Sequence, residues 1–252
     1  MRAPVAGLRT RQLARTAGAL YLVNIVGGAF AIGYVNGTLL TDDVATTAHN
    51  ISSHLQLYRS GIAAHIIVTV TNVPLALLFY ELFKVVNRRL ALLDAFFVLV
   101  ATAIEAASLA NLFAPLALLD DKEYANAIPA PQLDVLASLP GAMSDGSYAV
   151  YTVFFGFDIL CLAYLILRSR FVPRIIGGLL AIDGAAYLMY SFSNVLAPEF
   201  ATHLVPWIQS PAPIAEGALS LWLLVMGVKM ERWNQAADGA PWIRSAHTEG
   251  LG

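Results

Sequence analysis

Six apolar stretches, each about as long as a helix that crosses the hydrocarbon of a bilayer, constrain this chain more than anything else in it. They run roughly from Ala14 to Val35, Ser60 to Phe83, Leu90 to Leu119, Ser147 to Leu167, Ile175 to Leu196 and Ala212 to Lys229. A peptide group in lipid has no water to bond to, so each stretch is expected to satisfy its own backbone as an α-helix. Composition agrees: 58% of the 252 residues are hydrophobic and 13% charged, too little polar surface to coat a water-soluble globule. The expected fold class is all-α, a polytopic membrane helix bundle of about six transmembrane helices.

Orientation follows from the cations. Arg2, Arg9, Arg11 and Arg15 precede the first stretch; Lys84, Arg88 and Arg89 fill the second connection; Arg168, Arg170 and Arg174 the fourth; Lys229, Arg232 and Arg244 follow the sixth. Thirteen of the fifteen Lys and Arg thus fall on one side, leaving Arg59 and Lys122 on the other. The positive-inside rule makes the first side cytoplasmic and places both termini there. The outer connections are acidic, with Asp42, Asp43, Asp120, Asp121, Glu123, Asp134, Asp145 and Glu199.

Residues 1–13 read as a cytoplasmic tail, 14–230 as a six-helix transmembrane domain, and 231–252 as a disordered cytoplasmic tail. The Arg-rich start with Ala29-Phe30-Ala31 also admits a cleavable signal peptide, but Asn24 interrupts the apolar stretch, which runs on past the cleavage site. Asn36-Gly37 reads as a turn, residues 120–146 as an outer loop with an interfacial helix from Gln132 to Leu139, and Pro74 as a kink in the second helix. Gly177, Ala181 and Ala185 form a small-residue stripe for close helix packing. There is no basic tract for nucleic acid, Cys161 is the only cysteine, and no phosphate loop, nucleophile elbow or zinc-binding helix motif occurs. No cofactor is expected, no metal site is specified by the dispersed histidines, and nothing assigns a reaction or an oligomeric state.

An ionisable group at bilayer depth costs several kcal/mol unless it faces the bundle interior or a water-filled space. Asp94, Glu105, Asp158, Asp183, Glu216 and His65 are such groups, with the neutral Asn24, Asn72, Ser108 and Asn111 beside them. Asn24, Asn72, Glu105 and Asp158 fall near mid-membrane by helical rise. Asp94 and Glu105, eleven residues apart, share a helix face, as do His65 and Asn72, seven apart. No Lys or Arg lies deep in any stretch, and desolvation favours the neutral form of such carboxyls. The candidate intramembrane polar site is therefore Glu105, Asp158, Asp183, His65, Asn72 and Asn24. Asp94, one turn from Arg88 and Arg89, reads instead as an interfacial ion-pair partner. Asn24, Asn72 and Ser108 read first as interhelical hydrogen-bond glue, and Cys161 as a small apolar residue.

Arg15 to Leu22 with Gly27-Gly28, the loop Asp43 to Arg59 with Ala48-His49-Asn50-Ile51, the segment Val86 to Leu92, and Phe155-Gly156 through Tyr164-Leu165 and Pro173-Arg174 to Gly177 together resemble the bacterial membrane family named domain of unknown function 4386. The resemblance covers about three quarters of the chain and weakens from the sixth helix onward. It implies a multi-pass protein of the bacterial cytoplasmic membrane without an established activity. It also implies Asp more usually at the position of His65 and His at that of Asp158, an exchange that a direct His65–Asp158 pair would permit. The partners expected are the lipid bilayer and a proton, cation or small polar solute held by the intramembrane acids. The alternatives are an intramembrane enzyme using a His65–Asp158 pair, and an accessory bundle whose acids are capped by hydroxyls and amides with no cavity.

Overall fold

The computed structural model describes residues 3–120, 128–204 and 207–240, and these contain helices and no strand. Helix α1 (Ala3–Gly28) winds on as a π-helix over Ala29–Asn36 and a last turn at Gly37–Leu39. Helix α2 (Val44–Ser53) follows, capped by the Asp43 carboxylate, which accepts from the Thr46 amide at 2.8 Å and holds its pKa below the ordinary value through those Thr46 bonds. The second span is α3 (Leu55–Phe83). The third is α4 (Arg88–Leu109), a 3-10 turn at Ala110–Phe113 and α5 (Ala114–Asp120). Then come α6 (Ala130–Ser169), α7 (Arg174–Leu196), the short α8 (Pro198–Leu204), α9 (Pro211–Val225) and α10 (Met230–Gly239).

The spans pack in a closed ring in chain order: α1 on α3, α3 on α4, α4 on α6, α6 on α7, α7 on α9, and α9 back on α1. Sequence-adjacent antiparallel neighbours joined by short turns are the expected arrangement. Large apolar side chains face outward around the ring, with Ile67, Val70, Leu77, Ile182, Val195 and Val225 all more than half exposed. In water such a surface would aggregate; in lipid it is the solvent-matched face.

Two ring contacts depend on missing side chains. A Cβ on Gly184 would stand 2.9 Å from the Gly156 carbonyl oxygen, and one on Gly18 would stand 2.5 Å from the Leu224 amide nitrogen. The Gly18 carbonyl also accepts from the Ser220 hydroxyl at 2.9 Å. The packing stripe on α7 is therefore Gly177 and Gly184 rather than Gly177, Ala181 and Ala185, because Ala185 is exposed.

The cation-rich end is closed by an apolar plug. Phe83 and Phe171 stack with centroids 5.5 Å apart among Leu82, Leu165 and Leu223, all fully buried. At this end α9 stops at Val225, four residues before the expected limit, because Gly227 takes a left-handed φ of 68° and the chain bends by 97° into α10. The Lys229 amide donates to the Phe171 carbonyl at 3.1 Å and the Trp233 indole donates to the Leu82 carbonyl at 3.1 Å, pinning α10 across the ring. Five spans are long and apolar enough to cross a membrane, and the bent α9–α10 pair makes a sixth if counted as one.

The structure departs from the expected element bounds in four places. Residues 230–239 form α10 rather than the start of a disordered tail, while residues 241–252, with Trp242 and Arg244, lie outside the described residues. The first helix begins at Ala3, inside the expected tail. Asn36 and Gly37 are right-handed helical, not a turn. The outer loop is largely helix: α6 starts at Ala130 and runs 40 residues through Pro140, about 60 Å at 1.5 Å per residue. That is twice the hydrocarbon thickness, so its first half rises beyond the membrane at the cation-poor end. There it packs with α2 and α5, which contribute to a second small core of Val35, Leu39, Ile51, Tyr58 and Ile62. Residues 121–127, which hold Asp121, Lys122 and Glu123, lie outside the described residues.

Candidate functional site

A cavity of about 270 Å³ occupies the axis of the ring, and all six spans contribute to its wall. The 3.6-residue period explains which side chains arrive there. On α4 the eleven-residue interval brings both Asp94 and Glu105 to the cavity, and on α3 the seven-residue interval brings His65 and Asn72. Asp158 enters from α6 and Glu216 from α9. The wide π-helical stretch adds Ala29 and Ile32, a helix type that occurs often at functional sites.

The ionisable groups are arranged as three interhelical pairs. His65 Nε2 lies 2.9 Å from Glu105 Oε1, joining α3 to α4. The Asp94 and Asp158 carboxyls are within hydrogen-bonding contact, joining α4 to α6. The Asp183 and Glu216 carboxyls make the same kind of contact between α7 and α9. Glu216 also accepts from the Tyr187 hydroxyl at 3.0 Å and is hydrogen-bonded to Tyr21. A carboxylate is acceptor-only, so a bond between two carboxyls needs a proton on one of them. Each acid pair is thus a place where one proton is held between two spans.

Three buried carboxyl oxygens, Asp94 Oδ1, Glu105 Oε2 and Asp183 Oδ2, have no hydrogen-bond partner within the protein. Buried polar atoms are almost always matched; Asp183 is not among the lining residues, whereas Asp94 and Glu105 line the cavity with an oxygen unmatched and ask for a donor from outside the chain. Opposite them runs an aromatic wall: Tyr148 stacks on Tyr151 at 5.7 Å, Tyr151 on Phe155 at 5.3 Å, and Tyr187 meets Phe155 edge-on at 5.2 Å. Aromatic faces and carboxyl oxygens both attract cations. No Lys or Arg is among the lining residues.

A second cavity of about 250 Å³ continues toward the cation-poor end, where Ser108, Ser144 and Asp145 line it. The two share Ile32, His65, Glu105, Tyr148 and Tyr151. The His65–Glu105 pair therefore stands at the seam between an outer vestibule and the axial cavity. Beyond the axial cavity, in the other direction, lies the Phe83–Phe171 plug.

Of the six residues singled out in the sequence, His65, Glu105, Asp158, Asn24 and Asn72 line the axial cavity, and Asp183 stands behind Glu216. Asn24 and Asn72 bond each other: the Asn24 amide donates to Asn72 Oδ1 at 2.5 Å, and the Thr71 hydroxyl donates to Asn24 Oδ1. This clamp ties α1 to α3 as interhelical glue. The direct His65–Asp158 pair is not formed; the two share the cavity, but His65 bonds Glu105 and Asp158 bonds Asp94. Asp94 is not an interfacial ion-pair partner either. It is 2% exposed and turned inward to Asp158, because a helix position one turn from Arg88 can still face the axis. The sequence reading passed over Tyr21, Tyr148, Tyr151 and Tyr187; for two of them the signal was Tyr148, Tyr151 and Phe155 at three- and four-residue intervals within apolar helix.

An all-α ring of spans around an acid-paired cavity defines a polytopic membrane protein with a buried ionisable site. The family model described as Domain of unknown function (DUF4386) matches residues 16–227, and the chain belongs to that family. Comparison with curated proteins and with solved structures gives no match.

Proposed function

We propose that the protein takes a proton or a small cationic solute from the outer side of a bacterial cytoplasmic membrane into the axial cavity and holds it on the paired carboxyls. The observation that carries this reading is the convergence of five acids from four spans with one imidazole as their only base. A low-dielectric space lined by several acids and a single imidazole concentrates positive charge. On this reading the vestibule is the route from the cation-poor end and the plug blocks the other, so the protein stands open outward and shut inward. Past Asp145 of the vestibule, His65 and Glu105 stand at the entrance to the axial cavity, and a proton can pass between imidazole and carboxylate at 2.9 Å.

Asp94, Glu105 and Asp158 bond another ionisable group and line the cavity, and only Glu216 among the lining acids also accepts from hydroxyls, which favours this reading over a purely structural bundle. The test is flux in vesicles of phosphatidylethanolamine and phosphatidylglycerol with a trapped pH dye and an imposed gradient. Wild-type protein is expected to dissipate the gradient faster than empty vesicles, either alone or on addition of a small amine. Glu105→Gln and Asp158→Asn, checked for folding by elution and thermal melting, are expected to lose most of that rate. Full rates in both folded variants would overturn the proposal.

A further inference from the structure

A hollow of about 940 Å³ opens at the cation-rich end, apart from the axial cavity. Arg88 and Arg89 line it from the start of α4, Arg168 and Arg170 from the end of α6, and Arg174 from the start of α7, while α10 forms the facing wall through Gln235 and its neighbours. The positive-inside rule requires these arginines to be on this side; it does not require five of them, from two different connections, to line one concavity. No Asp or Glu is among the lining residues. Arg170 holds a left-handed φ of 58°, where glycine is the usual helix-ending residue. The backbone thus carries an arginine at a conformation that is strained for an L-residue.

We propose that this hollow binds the phosphate of an anionic phospholipid of the inner leaflet. Guanidinium groups match phosphate oxygens in a two-pronged geometry that ammonium groups cannot. Arg88, Arg89 and Arg174 occupy the first turns of α4 and α7, whose helix dipoles add to the attraction for an anion. The phosphate is assigned to a lipid rather than to a soluble anion by what borders the hollow. Leu92 lines it and is 42% exposed, and Phe96 one turn on and Ile175 beside Arg174 are 56% and 72% exposed. Those side chains form an apolar path from the arginines down the lipid face, as acyl chains need. Basic pockets between helix ends on the cytoplasmic side are a recurrent form of headgroup site.

The test uses full-length protein in nanodiscs of equal parts phosphatidylcholine and phosphatidylglycerol, or phosphatidylcholine and cardiolipin, followed by extraction into detergent and native mass spectrometry of retained lipid. Wild-type protein is expected to retain the anionic lipid several-fold over phosphatidylcholine. Arg89→Gln/Arg174→Gln is expected to abolish that preference. Arg89→Lys/Arg174→Lys, which keeps the charge and hence the topology, is expected to reduce it. No preference in the wild type, or an unchanged preference in both variants, overturns the proposal. Complete displacement of the lipid by millimolar inorganic phosphate would assign the hollow to a soluble anion and overturn the lipid assignment.

Discussion

The Asp94–Asp158 contact holds only while one proton is shared, whereas an amide in place of one carboxyl supplies its own donor. Asp158→Asn is therefore expected to keep the α4–α6 bond and a near wild-type melting temperature while removing the protonatable partner. Asp158→Ala leaves Asp94, 2% exposed, with neither oxygen matched, and is expected to cost about 1–3 kcal/mol. Thermal melting in detergent separates the two; equal destabilisation by Asn and Ala would show that the bond contributes nothing. At this scale the sequence displayed the members of the site but not their pairing. Spacing tells which residues share a face of one helix, as with His65 and Asn72, because that depends on the 3.6-residue period alone. Which face meets which across the ring depends on the rotation of each helix about its own axis. That rotation is set by packing, so His65 reaches Glu105 and not Asp158.

Helix-to-helix approach at α6 and α7 rests on Gly156 and Gly184 meeting backbone to backbone. In lipid there is little hydrophobic gain from pressing two helices together, and close van der Waals contact through small residues takes its place. Gly184→Val puts a side chain 2.9 Å from a carbonyl that cannot move and is expected to destabilise the fold by about 1–3 kcal/mol. Gly178→Ala, on the same helix with nothing within 4 Å of its new Cβ, is expected to be neutral or slightly stabilising, since it removes unfolded-state freedom. Similar melting temperatures for the two variants would refute the contact. Element boundaries show a matching division between what sequence does and does not encode. The spans of α3 and α7 follow their apolar stretches closely, because hydrophobicity alone selects them. The first half of α6 was legible only from Gln132 to Leu139, as a separate interfacial helix, since Pro140, Asp134 and Asp145 are turn signals taken singly. Its continuity into the span is kept by packing on α2 and α5, a tertiary effect with no local signature.

The order of the ring repeats the order of the chain, with α1 and α9 closing it, and this much follows from short connections between antiparallel spans. The cations segregate with it. A Cβ added to Gly227 would stand 4.0 Å from the Ala14 side chain on α1, the Lys229 amide donates to the Phe171 carbonyl, and Arg89, Arg168 and Arg174 line one hollow, so four separate stretches of sequence deliver their charges to a single end. The cavity itself left no such trace, because it is the gap between six helices and belongs to none of them. Sidedness therefore decides how the site is reached: with the cation-rich end cytoplasmic, the vestibule opens outward and the plug faces inward. Replacing Cys161, the sole cysteine, by Ser gives a background in which single cysteines report that orientation. Ser52, exposed on α2 at the vestibule end, and Gln235, exposed on α10 at the other, are suitable positions. Ser52→Cys is expected to react with a membrane-impermeant maleimide added to intact cells, and Gln235→Cys only after permeabilisation. The reverse pattern would turn the molecule over, moving the vestibule to the cytoplasm and the arginine hollow to the outer leaflet. Labelling of both before permeabilisation would mean that the ring does not span the membrane.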